Sequence, residues 1–200
     1  HQPPGFRRGR LCSLGGPMKK ALLAVCLAAS VPLLAACASM GAETTAQSFG
    51  DAPALQTAQA DVARLTAQAN QDPLLKPWSG DHGGVPPWDQ ARVDLIPPPF
   101  ELGIALQEAE VQVIANNRER PTFDNTIGAM QNGGRHLDRA TTIFGVMTDN
   151  TSNEAIQAAE AEWSPRLTAA YNRITFNRAL YQRIDYLFQN RASLNLTAEQ

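Results

Sequence analysis

The residue types that most often carry chemistry are few in this 200-residue sequence and stand far apart. The three histidines are separated from one another, at His1, His82 and His136. The three cysteines all precede the acidic part of the chain, at Cys12, Cys26 and Cys37. Zinc needs three or four clustered ligands and a catalytic cysteine needs a partner base, so neither site is expected in the folded part. We predict that this chain contributes no catalytic residue and no metal ligand.

Acidic and aromatic residues offer two further candidate sites. Carboxylates two positions apart occur at Glu108 with Glu110 and at Glu160 with Glu162. Because residues two apart on a helix point to different sides, we interpret them as separate solvated charges rather than acid–base pairs. Tryptophans can line a peptide groove, but burial in a core is the simpler interpretation of Trp78, Trp88 and Trp163.

Charge is distributed unevenly along the chain. Residues 1–36 contain five basic and no acidic residues, whereas the rest contains twelve basic and nineteen acidic residues. Proteins that bind nucleic acid usually carry a basic surface, so this acidic excess argues against a nucleic-acid partner. Hydrophobic residues make up 44% of the sequence, which is typical of a chain that folds around a core.

A short uncharged stretch near the N-terminus has the pattern of a signal peptide. Met18-Lys19-Lys20 gives it a basic start, and residues 21–36 carry no charge. A helix over that stretch would cover about 24 Å, short of the roughly 30 Å of a hydrocarbon core, so a permanent transmembrane anchor is the weaker alternative. We predict a signal peptide at residues 18–36, preceded at residues 1–17 by upstream or non-native sequence.

The tetrapeptide Leu34-Ala35-Ala36-Cys37 resembles a bacterial lipobox, in which the cysteine receives diacylglycerol and becomes the mature N-terminus. Acyl chains contribute about 0.8 kcal/mol per buried CH₂, so more than one gives a stable membrane anchor. The resemblance implies an exported bacterial lipoprotein, lipidated at Cys37, on the periplasmic side of a membrane. Ala38 after the cysteine favours the outer membrane. An ordinary cleaved signal with a chance cysteine is the alternative.

Two composition changes follow the cysteine. Residues 37–70 are rich in Ala, Gln, Thr and Ser, which predicts a flexible tether that could include a short helix around residues 58–69. Prolines and glycines then interrupt residues 72–99, which predicts an extended, turn-rich segment. Its apolar residues are expected to dock it on the domain: Leu74, Leu75, Trp78, Val85 and Trp88.

From residue 100 onward the pattern is helical. The first helix is apolar on two opposite sides, which indicates neighbours on both and hence a multi-helix stack. The second contains Gly133-Gly134, which indicates that either a neighbouring backbone passes close there or the helix bends. The third opens with Thr151-x-x-Glu154, a capping-box pattern. We predict an all-α fold over residues 71–200, with helices at residues 100–116, 121–144, 151–174 and 177–191.

The last residues, Thr197 to Gln200, have the Thr-x-x-Gln form that opens a helix, and Leu194 and Leu196 precede them. We therefore expect this polypeptide to be the N-terminal piece of something longer. Part of its apolar surface should then lack a partner here.

Several segments between residues 72 and 200 resemble the N-terminal region of the thimet oligopeptidase family of zinc metallopeptidases, closest to bacterial peptidyl-dipeptidases. The clearest of them matches the approximate family pattern P-x-F-x-N-T-I. The segments occur in one order with plausible spacing and are Asp72-Pro73-Leu74-Leu75, Gly83-Gly84-Val85-Pro86-Pro87-Trp88-Asp89, Pro121-Thr122-Phe123-Asp124-Asn125-Thr126-Ile127, Leu137-Asp138-Arg139, Ala179-Leu180-Tyr181-Gln182-Arg183-Ile184 and Arg191-Ala192-Ser193-Leu194-Asn195-Leu196.

The resemblance implies a large helical peptidase whose two lobes enclose a narrow channel, with the N-terminal helices roofing it. Such enzymes hydrolyse oligopeptides with a zinc ion held by H-E-x-x-H and a further Glu, a motif absent here. The resemblance thus implies a zinc cofactor with ligands outside this chain, an inactive fragment and a monomeric full-length enzyme. A complete, non-enzymatic, lipid-anchored helical protein that binds a partner or acts as a spacer is the alternative.

Overall fold

The computed structural model describes residues 48–81, 84–151, 153–197 and 199–200. These residues lie within one unit of the chain, residues 45–200. Within them the secondary structure is helical, with a single isolated bridge between Ser79 and Val85, so the predicted all-α class is confirmed. The predicted signal peptide and Cys37 lie outside the described residues.

The first helix, α1, spans Ala52–Ala69. It begins where the Asp51 carboxylate accepts a hydrogen bond of 2.7 Å from the Ala54 amide, and Pro53 occupies the first turn, where a missing N–H costs nothing. No described helix combines the length and the hydropathy that crossing a membrane requires.

Residues 52–69 of the predicted tether, residues 37–70, form a docked helix instead; the short helix expected around residues 58–69 is present and begins six residues earlier. The α1 helix packs along the helix that follows it, and three of its residues are buried at helical spacing: Ala58, Leu65 and Ala69. Small alanines let the two helices approach closely, so a segment of low hydrophobicity still joins the core.

The turn-rich segment is docked as expected, although through fewer residues. Leu74 and Leu75 are buried, and Trp78 packs against the same core. Val85 and Trp88 were expected to anchor the segment as well, but their exposed fractions are 61% and 45%. The segment is therefore held at its beginning and again near its end, where Ile96 is buried and Ala91 packs on the same core, and the expectation is wrong for Val85 and Trp88.

The central helix, α2, spans Pro97–Ala115. It packs against α1 on one side and against the later helices on others, which confirms the two apolar faces. Gly103 marks the closest crossing, because a β-carbon there would lie 3.0 Å from the Leu137 side chain. Helix α2 is thus the axis around which the other helices are arranged.

The predicted second helix is interrupted. A π-helical turn at Asp124–Gly128 leads into a short helix, α3, at Ala129–Asn132, and a separate helix, α4, spans Arg135–Asn150. The break falls at Gly134, whose φ of 76° is left-handed. The predicted helix over residues 121–144 is thus divided in two at the glycines where a bend was one of two expected outcomes, because glycine readily adopts a conformation that ends a helix.

The last two helices are α5, Glu154–Thr175, and α6, Arg178–Asn190. Helix α5 was expected to be capped by Thr151, but the Asn153 side chain accepts the hydrogen bond from the Ile156 amide instead. Asn177 caps α6 in the same way. The predicted bounds of α6 are confirmed to within a residue.

Two clusters of buried residues hold the helices together. The larger joins α1, α2, α4 and α5, and in it the Phe100 ring meets the rings of Phe144 and Trp163 edge-on, at centroid distances of 5.3 and 5.2 Å. The smaller joins α2 and α6 through Val111, Ile114, Ala115 and Leu180. We call these the aromatic cluster and the α6 cluster.

Candidate functional site

A buried arginine joins α6 to the loop between α2 and α3. Arg183 is 1% exposed, and its Nη1 donates to the carbonyl oxygens of Asn117 and Glu119 at 2.7 and 3.1 Å. Its Nη2 donates to Asn125 Oδ1 at 2.8 Å. Burial lowers the pKa of Arg183, and the Glu119 carboxylate opposes that change. The guanidinium therefore acts as a structural fork that holds a loop.

Asn125 organises the same loop from the other side. Its Oδ1 accepts from the Thr122 amide at 2.8 Å, and its Nδ2 donates to the Arg120 carbonyl at 3.0 Å. The Thr122 hydroxyl in turn accepts from the Asn125 amide at 3.1 Å. We call this set of contacts the Arg183 junction.

A second arginine joins α4 to the docked segment. Arg139 Nη1 donates to the Leu75 carbonyl at 2.6 Å. Burial lowers the pKa of Arg139, the Arg135 charge lowers it further, and Asp138 opposes both. We call this contact the Arg139 junction.

The two junctions account for most of the segments on which the family resemblance was based. The Arg183 junction connects residues 121–127 with residues 179–184, and the Arg139 junction connects residues 72–75 with residues 137–139. Segments that lie far apart in the sequence but resemble the same family are thus joined by hydrogen bonds. Their roles in the described structure are to fix loops and helices.

The carboxylates of Glu108 and Glu110 bind different partners. Arg173 Nε donates to Glu108 Oε1 at 2.7 Å, whereas Glu110 Oε2 accepts from the Gly134 amide at 2.7 Å. Burial raises the pKa of Glu110, the Gly134 amide opposes that change, and Asp138 adds to it. These carboxylates do not face each other, in agreement with their interpretation as separate charges.

The other residues singled out in the sequence also lie apart. His136 Nε2 lies 3.4 Å from Asn70 Oδ1, and burial, followed by the Arg139 charge, lowers its pKa. Trp163 is buried, but Trp88 is largely exposed. His82 lies outside the described residues. In the part of the chain that the structure describes, no three His, Cys, Asp or Glu side chains are grouped as a metal would require.

An open apolar groove lies beside α6. Its apolar lining comes from the start of the π turn, the outer side of α6 and the chain after α6: Phe123, Ile127, Ile184, Leu187, Phe188 and Leu196. Thr197 and Gln200 lie at its edge, and its volume is about 400 Å³. Phe188 is 59% exposed in it. We call this surface the α6 groove; no sequence pattern had identified it as a surface.

A larger cavity, of about 700 Å³, lies at the start of α1 and is lined by Ser48, Phe49, Gly50, Arg118, Arg120 and Tyr186. The Arg120 side chain already donates to the Tyr186 hydroxyl, and the Tyr186 ring meets Phe49 edge-on at 5.2 Å.

The helical stack and its junctions define the described part of the chain as an all-α module. The chain is 35% identical over 115 residues to a protein of Escherichia coli strain K12 named dipeptidyl carboxypeptidase. It is 34% identical over 118 residues to a protein of the same name from Salmonella typhimurium strain LT2. The two matches cover 58% and 56% of this chain. No protein-family model matches the chain.

The chain spans 17% of the length of each of these relatives. The predicted resemblance to bacterial peptidyl-dipeptidases of the thimet oligopeptidase family is confirmed by these matches. The matches cover only part of each relative, so they do not by themselves establish the activity of a whole protein.

Proposed function

We propose that this chain is the N-terminal part of a longer zinc-dependent peptidase that hydrolyses short peptides in the manner of a peptidyl-dipeptidase or oligopeptidase. The observation that carries the proposal is the 35% identity to a dipeptidyl carboxypeptidase over 115 residues. It is supported by the two arginine junctions, in which segments that resemble the family contact one another.

In this proposal the helical stack forms part of the roof of a substrate channel and does no chemistry itself. Helices that are held together by buried hydrogen bonds are suited to form the roof of such a channel, because a roof that moved would let folded proteins enter. The described residues do not fit a zinc site, so zinc and its ligands belong to other parts of the longer protein. The 200-residue chain alone is expected to be inactive.

The activity is tested on the protein encoded by the whole natural gene. Blocked tripeptides and tetrapeptides with a free C-terminal carboxylate should be hydrolysed, and release of the C-terminal dipeptide is read by mass spectrometry. The same peptides with an amidated C-terminus are the control for carboxylate recognition. Chelation should abolish hydrolysis, and added zinc should restore it.

Two results would overturn the enzyme proposal. One is a gene product without peptide hydrolysis under any metal condition. The other is a stop codon directly after Gln200, which would favour the alternative, a complete lipid-anchored protein that binds a partner or acts as a spacer. Zinc content measured before and after chelation distinguishes a zinc enzyme from one that uses another metal.

We also propose that the protein is exported and lipidated at Cys37, and held on the periplasmic side of the outer membrane. The support is the sequence pattern of residues 18–38 alone. Cells fed radioactive palmitate should label the natural protein and should not label the Cys37→Ala variant, with Cys26→Ala as the matched control. Equal labelling of all three would contradict the assignment.

A further inference from the structure

We propose that the α6 groove is the docking site for an amphipathic helix of the same polypeptide that begins at Thr197 and continues beyond Gln200. The inference rests on the proposed function, in which this chain is one part of a longer peptidase. It adds the position at which the next part of the protein attaches to the helical stack.

The first observation is that the apolar stripe of α6 is covered along one edge and open along the other. Leu180 and Leu187 are buried, at 3% and 6% exposure. At the open edge Phe188 is 59% exposed, although the Arg191 guanidinium lies 4.2 Å from its ring centroid. A contiguous exposed apolar surface marks an interaction site.

The second observation identifies the occupant. At the edge of the groove the Thr197 amide donates to Gln200 Oε1 at 3.1 Å, and the Gln200 amide donates to the Thr197 carbonyl at 3.2 Å. The side-chain contact is one of the two reciprocal bonds of a capping box, which forms at the first residues of a helix. The backbone is therefore already arranged as a helix start beside the groove.

The position of Leu196 links the helix start to the groove. Leu196 lines the groove and directly precedes the capping residue Thr197. A hydrophobic residue at that position commonly packs on the residue five places further along, at the end of the first helical turn. The residue that follows Gln200 is thus expected to be apolar and to extend the apolar surface over Leu196 and Phe188.

A second copy of the chain, or an unrelated protein, could in principle cover the same surface. The helix start favours the same polypeptide, because Thr197 and Gln200 themselves line the groove and the chain is already directed there. The relatives are also about six times as long as the matched part, so similar proteins have further residues available to pack.

The test compares Phe188→Asp in the 200-residue chain and in the protein from the whole gene, with Phe176→Asp as the matched control. Phe176 is 79% exposed and does not line the groove. In the 200-residue chain both variants should leave the denaturation midpoint unchanged, and Phe188→Asp should reduce binding of a hydrophobic dye. In the longer protein, Phe188→Asp should speed proteolysis at the α6 groove by about tenfold or more, because a buried Phe contributes roughly 1.5–3 kcal/mol.

Equal proteolysis rates for Phe188→Asp and Phe176→Asp in the longer protein would overturn the inference, as would a gene that stops after Gln200. A 200-residue chain that dimerises through Phe188, with no effect in the longer protein, would assign the groove to a second copy and also overturn it. If Phe188→Asp prevents accumulation of the longer protein, Phe188→Leu provides the readout and should restore wild-type resistance. A longer protein without peptide hydrolysis but with the Phe188 effect would reject the proposed function alone.

Discussion

The aromatic cluster and the α6 cluster hold the same central helix, α2, by different means. The aromatic cluster is a large apolar interior in which the Phe100 ring contacts two other aromatic rings. The α6 cluster has four buried apolar residues, and the neighbouring Arg183 junction adds a buried charge that holds three oxygen atoms. One end of the stack is thus closed by packing, and the other is held by hydrogen bonds beside an open groove.

The difference implies that the two ends of the stack tolerate substitutions to different degrees. A packed apolar interior tolerates changes that preserve volume, because dispersion and burial have no fixed direction. A buried guanidinium tolerates almost no change, because each oxygen it satisfies becomes an unpaired buried group when it is removed. Substitutions can separate the two cases.

The largest effect is expected for Trp163→Ala in the aromatic cluster. The side chain is 1% exposed, so its removal leaves a cavity between α2, α4 and α5. We expect the free energy of unfolding to fall by about 3–5 kcal/mol, and Trp163→Phe to lose much less. Urea unfolding followed by circular dichroism measures both. The exposed Trp88→Ala is the control, and an equal loss there would contradict the packing assignment.

The next effect is expected for Arg183→Met at the Arg183 junction. Methionine preserves much of the volume but leaves the carbonyls of Asn117 and Glu119 without their donor. We expect a loss of about 3 kcal/mol, and little recovery in Arg183→Lys, because an ammonium cannot reproduce the planar fork. The exposed Arg178→Met on the same helix is the matched control. Full stability in Arg183→Lys would show that charge alone suffices.

The same contrast explains what the sequence could predict. The bounds of α6 followed from a regular apolar period and from Asn177, an N-cap residue directly before it. The α1 helix was taken for a tether because its buried face is formed by two alanines and Leu65, and alanine weakens any hydrophobic pattern. The docking of α1 depends on how closely α2 can approach it. That distance is set by residues of both helices, so it cannot be predicted from residues 52–69 alone.

The break between α3 and α4 could be predicted only as one of two alternatives at Gly133-Gly134, for a related reason. The apolar positions continue in phase from Phe123 to Phe144, so the local pattern favours a single helix. The chain bends at Gly134 instead, where its amide donates to Glu110, twenty-four residues earlier. The Arg183 junction was equally hidden, because it unites an amide and a guanidinium 58 residues apart. Resemblance identified those segments, but only the fold paired them.

A third prediction concerns the two glycines at and beyond this break. Gly134 has a left-handed φ of 76°, and a β-carbon there would lie 2.6 Å from Gln107 Nε2. Gly134→Ala should therefore lower the free energy of unfolding by about 1–2 kcal/mol. Gly145, inside α4, has open space around its β-carbon position, so Gly145→Ala should raise it by about 0.5–1 kcal/mol. Thermal unfolding of both variants checks the opposite signs; equal signs would contradict the backbone assignment.

The smallest effect is expected at Glu110, which lies on α2 beside the break. Burial raises its pKa in the folded protein, so the protonated carboxyl is favoured by folding. Its contribution is present below the pKa of the unfolded chain and is lost as the pH rises through the raised pKa of the folded chain. In Glu110→Gln that loss should be absent, since the amide oxygen can still accept from Gly134.

The measurement is the free energy of unfolding between about pH 4 and pH 7, the range above the ordinary pKa of a glutamate. Burial also raises the pKa of Asp138, which acts in the same direction, and lowers the pKa of His136, which acts in the opposite direction. Both groups are present in wild type and variant, so the difference between the two curves isolates Glu110. The exposed Glu160→Gln is the control. Parallel curves of unfolding free energy against pH for wild type and Glu110→Gln would mean that the Glu110 carboxylate is as well solvated in the folded as in the unfolded chain. The α6 end of the stack would then be more accessible to water than its contacts indicate.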